Sequence, residues 1–570
     1  MLKRLFAPLS LLFALGGCAQ TLDTPATTPK FAGEVTAADP RAQEAGLAIL
    51  RQGGNATDAA IAMMLALTVV EPQSSGIGGG GFFVRGDARG AVTTLDGRET
   101  APAGAFPEWF LDAGGKVPPF TESQASGLSV GVPGNVALAW KAHERFGKLP
   151  WTALFQPAIA LARQGFVINQ QLFNSAQANR DLAAASASGR AWLYGTDGKP
   201  LPVGTRVTNA ALADTFAAIA AEGPKAFYAG QRAQTVAANV AAATPRPKPM
   251  TTADITSYEA RERPPVCGRY RGYRICGMGP PSSGGMAVIG ILGMLERFDL
   301  RALGARNPVT WHVFLEAQRL AYADRELYAA DSDFITVPVR GLTDPAYLSG
   351  RGALISPDRS LGLGTAGTPP GAPLALADGD EPEEHGTSHF AAVDAAGTMV
   401  SYTSTIESAF GSGLMANGFY LNNELTDFSR SPAGPDGRPV ANRVEPGKRP
   451  RSSMAPTVVW DPQGRPVLAV GAAGGPTIPV STVRAIIGFI DFGLGPRDAL
   501  ALPFIMAMGD TVLLEKGTWL EGAADRFRAL GHAQLIVREA PIKAGAVGRL
   551  PGGEWQAARD PRVETNVEVP

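Results

Sequence analysis

Histidine is scarce in this chain of 570 residues, five in all. A Ser-His-Asp triad has little to draw on. Charge of one sign is not in excess either: 51 Lys plus Arg face 52 Asp plus Glu, so nothing draws the chain to nucleic acid or to an anionic membrane surface. Internal repeats and coiled-coil heptads are missing as well. Small-molecule chemistry is what remains. The 45% apolar composition can fill a large core, and the length alone allows roughly two to four domains.

Hydrophobic runs of membrane-spanning length are also absent. The opening "MLKRLFAPLSLLFALGGCAQ" has Lys3 and Arg4, an apolar run of secretory length and then small residues, which reads as an export signal too short to span a bilayer. Its "LGGC" resembles the bacterial lipobox, which would make Cys18 a lipidated N-terminus, residues 1–17 a removed signal and 18–30 a tether; the alternative is an ordinary secretory signal cut nearby. Cys267 and Cys276 lie in "VCGRYRGYRICG". A two-residue turn at Arg271-Gly272 sets Tyr270 opposite Tyr273 and Cys267 opposite Cys276, a non-hydrogen-bonded pair within disulfide range. In an exported protein this favours a disulfide over free thiols.

Apolar spacing predicts helices over 39–54, over the run "NATDAAIAMMLALTVVEPQ", and near 135–146, 152–164, 212–221, 285–298, 309–328, 479–492 and 523–530. Strands are predicted in "AVTTLD", the cysteine hairpin, "SHFAAVDAAGTMVSYTSTI", "GFYLNN", "PTVVWD" and "PVLAVGAAGG". Between the two halves, the Gly/Pro-rich tract ending in "DGDEPEEHG" carries Asp378, Asp380, Glu381, Glu383 and Glu384, the composition of an exposed processing boundary. Strands with flanking helices indicate a layered α/β arrangement.

"GIGGGG" at Gly76–Gly81 fits G-x-G-x-x-G but follows a helix, so it reads as a tight turn rather than a dinucleotide site. His385 and His389 are spaced i, i+4, yet Gly386 between them and the strand that follows argue against zinc. The junction Gly386-Thr387 has two readings. One is the bland start of a hairpin. The other is self-cleavage: a threonine hydroxyl is a weak nucleophile, and a free α-amino group on the same residue supplies the base it lacks, while Gly386 leaves its carbonyl open to attack.

The strings "GGNATDAAIA", "VEPQSSGIGGGGF", "LDGRETAP", "VGVPG", "PPSSGG", "HGTSHFAAVD", "TSTIESAFGSG", "LNNELTDFS", "KRPRSSMAPT" and "GAAGGP" resemble, in this order, the γ-glutamyltranspeptidase family. The resemblance runs from about Phe31 to the end. It implies the N-terminal nucleophile hydrolase fold, an α+β four-layer αββα sandwich formed jointly by two autoproteolytic subunits, here 31–386 and 387–570. Position by position it implies cleavage between Gly386 and Thr387, with Thr387 as nucleophile and Thr405 orienting it. Gly474 and Gly475 would form the oxyanion hole. Arg98, Ser452 and Ser453 would hold the substrate α-carboxylate, and Asp427, Glu424 and Glu407 its α-ammonium. Singly, these read as a surface ion pair (Arg98 with Glu99), a turn, a loop and a solvated rim; together they supply every group a γ-glutamyl pocket needs.

The resemblance further implies glutathione or a related γ-glutamyl compound as substrate, water or an amino acid or peptide as acceptor, and a large and small subunit heterodimer. It implies no metal or organic cofactor, no nucleic acid, and membrane contact only through a lipid anchor facing the periplasm. Glu407 and Glu424 replace the Asn and Gln of many relatives, 429–448 lacks aromatic residues and reads as a short or open lid, and Arg451 replaces a hydrophobic residue. Alternatives are an acylase of the same fold, acting on glutaryl-type cephalosporins or poly-γ-glutamate, and an uncleaved, non-catalytic envelope lipoprotein.

Overall fold

Two six-stranded antiparallel sheets lie face to face at the centre of the computed structural model, which describes residues 31–373, 376–377, 386–541 and 543–563. The first sheet runs in the order Gly33–Ala37, Ser388–Asp394, Met399–Thr405, Gly80–Gly86, Val92–Asp96, Arg261–Arg263. The second runs Trp555–Arg559, Lys543–Arg549, Pro466–Ala473, Thr457–Trp460, Tyr273–Gly277, Val266–Tyr270. Every residue of Ser388–Asp394 is buried, and alternate residues serve different layers, as the two-residue period of a strand requires. Phe390 and Ala392 pack in one apolar cluster with the helix Ala56–Val70. Ala391 and Val393 pack in another with Val458, Val470 and Val547 of the second sheet. Polar ties cross between the sheets too, Ser401 Oγ donating to the Val470 carbonyl at 3.0 Å.

Helices close both outer faces. Ala56–Val70 lies on the first sheet, Gly284–Leu295 and Thr477–Ile490 on the second, so the order is helix, sheet, sheet, helix. All fifteen residues of Ala56–Val70 are buried, which explains its nearly unbroken apolar sequence. Its start is fixed locally: Asn55 Oδ1 accepts from Thr57 N and Asp58 N, and Asp58 returns a carboxylate oxygen to Asn55 N at 3.1 Å, a reciprocal capping box.

The expected helices all form, within a few residues of their predicted ends: Pro40–Arg51, Ala56–Val70, Asn135–Phe146, Trp151–Gln164, Ala210–Glu222, Gly284–Leu295, Pro308–Tyr328, Thr477–Ile490 and Ala524–Ala529. "GFYLNN" contributes only the short strand Phe419–Tyr420, paired with Met415–Ala416, because Asn422 and Asn423 turn their side chains to hydrogen-bonding instead of a ladder. The glycine tract is part turn and part strand, since Gly80 and Gly81 begin Gly80–Gly86. Its glycines serve close approach: an added Cβ would come 2.0 Å from the Tyr420 carbonyl at Gly78 and 1.9 Å from the Thr405 carbonyl at Gly79. Residues 429–442, the region of the expected lid, fold into a loop closed by Ser429 N–H to the Asn442 carbonyl at 2.9 Å, with 435–439 exposed. Residues 1–30, the acidic residues of 378–385 and His385 lie outside the described residues.

The two stretches flanking Gly386-Thr387 are interlocked. Strands 388–394 and 399–405 sit between Gly33–Ala37 and Gly80–Gly86, and Thr457–Trp460 sits beside Tyr273–Gly277. Ala32–Pro570 accordingly groups as one unit.

Cys267 and Cys276 are joined as opposite residues of their hairpin, with Cα atoms 4.2 Å apart. The turn is made by Arg271 (φ 50°) and Gly272 (φ 81°), both left-handed as a type I′ turn demands. A bond spanning so short a loop removes little denatured-state entropy, about 2–3 kcal/mol. Replacing both residues, Cys267→Ala with Cys276→Ala, is expected to lower the thermal midpoint by only a few degrees and to leave turnover intact, as scanning calorimetry and a rate assay would show.

Candidate active site

Thr387 stands at the mouth of the central strand in a conformation that a β-branched residue seldom adopts, φ 81°, a departure of the kind that the surrounding structure must enforce. Its backbone N–H donates to the Ser74 carbonyl at 3.0 Å, and its hydroxyl donates to Thr405 Oγ1, also at 3.0 Å. Thr405 Oγ1 in turn accepts the Glu407 N–H at 2.7 Å. Gly386 is wedged in place, since a Cβ there would lie 1.6 Å from the Glu407 carbonyl oxygen. The Thr387 side chain is buried.

Gly474 and Gly475 follow the strand Pro466–Ala473 and precede the helix Thr477–Ile490, with φ 114° and 54°. That strand reaches the Thr387 end of the first sheet, because Gly471 packs on His389; a Cβ at Gly471 would be 2.5 Å from the imidazole. Ala473 also pairs in register with Lys543, whose Nζ lies 3.3 Å from Ser388 Oγ and 2.9 Å from Glu71 Oε2. His389 Nδ1 is 2.9 Å from Thr403 Oγ1, and burial pushes its imidazole down to about 3, leaving it neutral.

The expected carboxylate and ammonium groups form one network. The Arg98 guanidinium is buried and bonded to both Glu424 and Asp427, and it also donates to the Arg451 carbonyl at 2.8 Å and the Pro450 carbonyl at 3.2 Å. Cation and anions thus face each other directly. Glu424–Asp427 is a buried 3-10 turn, and Asn423 links it to Glu407, donating to that carboxylate while accepting Ser408 N–H at 3.0 Å. Glu407 itself sits at φ 74°. Ser453 Oγ accepts from Arg325 at 2.6 Å, and the Ser452 carbonyl accepts from Ser283 Oγ at 2.7 Å. Arg325 also donates to Ser283 Oγ at 2.7 Å, tying "PPSSGG" to "RSSM". The Arg451 side chain turns to Glu326, donating to its carbonyl at 3.1 Å.

Glu99, Asn423, Arg325, Glu71 and Lys543 escape a reading of the sequence. Glu99 and Asn423 stand inside quoted strings without a role of their own; Lys543 sits in no local pattern and is brought in by sheet pairing alone. Glu99 is wholly buried, with a Cβ at Gly80 excluded by its carboxylate at 2.4 Å. It faces Glu424, and with both ionised neither oxygen of Glu99 has a donor. Burial pushes Glu99 up to about 8. Glu424 is raised by burial, against the pull of Arg98, and Glu407 by burial reinforced by Asp427 and Glu424. Burial and mutual repulsion thus oppose simultaneous ionisation of Glu99, Glu407 and Glu424.

The raised Glu99 binds its proton more tightly in the folded protein than in the unfolded chain, so protonation favours the fold. That contribution is fully present below the ordinary value of 4.5 and is lost as pH rises through about 8. Glu99→Gln, which keeps the neutral shape, is expected to flatten the fall in melting temperature across this range and to melt a few degrees above the parent at its alkaline end. Melting curves of both proteins that stay parallel across the range would contradict it.

The γ-glutamyltranspeptidase family model matches residues 42–569. The glutathione hydrolase proenzyme of Bacillus subtilis (strain 168) is 39% identical over 482 residues, covering 83% of this chain and 80% of that protein. The glutathione hydrolase proenzyme of Escherichia coli (strain K12) is 34% identical, covering 93% and 90%. Among solved structures, the cephalosporin acylase from Bacillus halodurans superposes with a TM-score of 0.80 at 26% identity, over 97% of this chain and 99% of that one. Matched by this model over most of its length and by these relatives, the chain belongs to the γ-glutamyltranspeptidase family.

Proposed function

We propose that the chain is a proenzyme that cuts itself between Gly386 and Thr387 and then hydrolyses or transfers the γ-glutamyl group of glutathione and related amides. The observation that carries this reading is the contact of Thr387 Oγ1 with Thr405 Oγ1, 3.0 Å, at a residue held at φ 81° behind a glycine that admits no side chain. In maturation the Thr387 hydroxyl oxygen adds to the Gly386 carbonyl carbon, the 386–387 C–N bond breaks, and the acyl group passes to oxygen as an ester. Water then hydrolyses that ester. The products are a large subunit ending at Gly386 and a small subunit beginning at Thr387 with a free α-amine.

That amine is the base for the second use of the same hydroxyl. Thr387 attacks the γ-amide carbonyl, Thr405 fixes the direction of its hydroxyl, and the Gly474 and Gly475 N–H groups receive the developing oxyanion. The leaving amine departs, and water or an amino acid or peptide amine resolves the γ-glutamyl ester. Arg98 with Ser452 and Ser453 receives the α-carboxylate, and Asp427, Glu424 and Glu407 the α-ammonium. A zwitterionic α-carbon brings one charge of each sign, so it exchanges ion pairs with the Arg98 network and adds no net charge to a pocket already rich in carboxylates. A glutaryl group brings only the negative charge, which ranks cephalosporin acylation below γ-glutamyl chemistry. Export, with Cys18 lipidated and the enzyme held at the periplasmic side, completes the reading; no helix among the described residues is long and apolar enough to cross a membrane.

Denaturing mass spectrometry of the parent beside Thr387→Ala and Gly386→Val tests maturation. Two parent fragments are expected, the smaller beginning Thr387-Ser388-His389, with both variants uncut; an uncut parent would defeat the catalytic reading. For the matured enzyme, replacing the substrate's γ-glutamyl group by glutaryl is expected to lower kcat/KM by about 10²-fold or more. Equal turnover of both would instead make the enzyme an acylase.

A further inference from the structure

His312 and Glu316 stand one turn apart on the helix Pro308–Tyr328, so their side chains share a face, and His532 meets them from the turn after Ala524–Ala529. All three are buried, and one ligand atom of each lies within 4.8 Å of the others. The imidazoles touch directly, His312 Nδ1 and His532 Nε2 being 2.8 Å apart. His312 Nε2 is 2.9 Å from the Ser356 carbonyl, which can only accept. The hydrogen-bond network therefore assigns the proton of that ring to Nε2 and leaves a lone pair on Nδ1 pointing at His532. His532 Nδ1 is buried without a hydrogen-bond partner. Glu316 accepts from Ser360 Oγ at 2.9 Å and from Leu361 N–H, and its Oε1 is 3.5 Å from Arg319 Nε.

We propose that His312 Nδ1, His532 Nε2 and a carboxylate oxygen of Glu316 form a site for one divalent transition-metal ion of the zinc class, remote from Thr387 chemistry in its residues and clamping together the two halves of the chain. Two imidazoles and a carboxylate are a zinc donor set. The Ser356 carbonyl on the far nitrogen of His312 is the outer partner that ligating histidines characteristically have, fixing tautomer and ring orientation. Charge allows it: Arg319 offsets Glu316, while Asp358 acts on His312 and Asp510 on Arg319 from the exposed side. Zinc–nitrogen bonds of about 2.0–2.1 Å hold two nitrogens roughly 3.3 Å apart in a tetrahedral site, so the rings would part by about half an ångström. The competing occupant of this geometry is a single proton, as a plain His–His hydrogen bond. His312 and Glu316 precede Thr387 and His532 follows it, so the ion would bridge the two products of cleavage.

The test uses the matured full-length enzyme, loaded with Zn²⁺ or Co²⁺ and dialysed against metal-free buffer. About one zinc per large and small subunit pair is expected by elemental analysis, with visible cobalt d–d absorption of nitrogen and oxygen ligation. Removal by chelator should lower the thermal midpoint by a few degrees and leave γ-glutamyl turnover at low temperature unchanged. His532→Ala and Glu316→Gln should each lose the metal. The cobalt spectrum and anomalous diffraction from the parent protein decide the matter if a variant fails to fold. Zinc at background level with a chelator-insensitive midpoint would overturn the site, as would zinc retained in folded His532→Ala.

Discussion

Everything at this site depends on one backbone collision that glycine avoids. The Gly386 Cα lies so close to the Glu407 carbonyl that no side chain fits, and the next residue sits at φ 81°. The strand that begins there is pinned on both edges, to Gly33–Ala37 and to Met399–Thr405, so the strain cannot relax by sliding the strand. Thr405 ends the neighbouring strand, which sets its hydroxyl opposite that of Thr387, and the chain then turns through Glu407 to supply the very carbonyl that crowds Gly386. Thr387, the Thr405 hydroxyl it contacts and the wedge on the bond before it thus come from one hairpin.

Around this rigid element buried carboxylates are crowded together. Arg98 serves Glu424 and Asp427, with Glu99 and Glu407 close by and equally buried. Proton sharing is the way such a cluster avoids isolated buried charge. Behind it a second tier is better balanced: Arg449 and Arg263 meet Asp96 at 3.0 Å each, and Asp96 Oδ1 receives the Arg98 N–H at 2.8 Å. The position of Arg98 is therefore fixed from its backbone by a satisfied network, while its side chain faces an unsatisfied one.

Much of this was legible before any coordinates. Helix Ala56–Val70 announces itself by apolar length, and the cysteine hairpin by a turn whose register can be counted outward. The residues around Thr387 were named from quoted strings, which the fold gathers from stretches hundreds of residues apart. What stayed hidden was set by distance in sequence. Lys543 is placed beside Ser388 by the pairing of Ala473 with Lys543, and Arg325 reaches Ser453 from a helix of its own; neither leaves a local pattern. Glu99 was visible, but as the partner of an arginine on the surface, because nothing in "DGRET" tells that both side chains are buried. The direct pairing of Arg98 with Glu424 and Asp427 is hidden for a related reason: two lists of residues carry no information about the distance between them.

The interleaving of strands from both sides of Gly386-Thr387 makes the history of the molecule matter. An uncut chain closes its central sheet by a unimolecular search within one tethered polymer, with loop-closure entropy as its main opponent. Once the peptide bond is gone, the same sheet can be rebuilt only by the meeting of two separate chains, neither of which owns a complete set of neighbours for its strands. Refolding then depends on concentration, and each half alone exposes strand edges that invite the wrong partners. Cleavage there would in this sense be a ratchet, leaving the native contacts in place and removing the route by which they were first assembled.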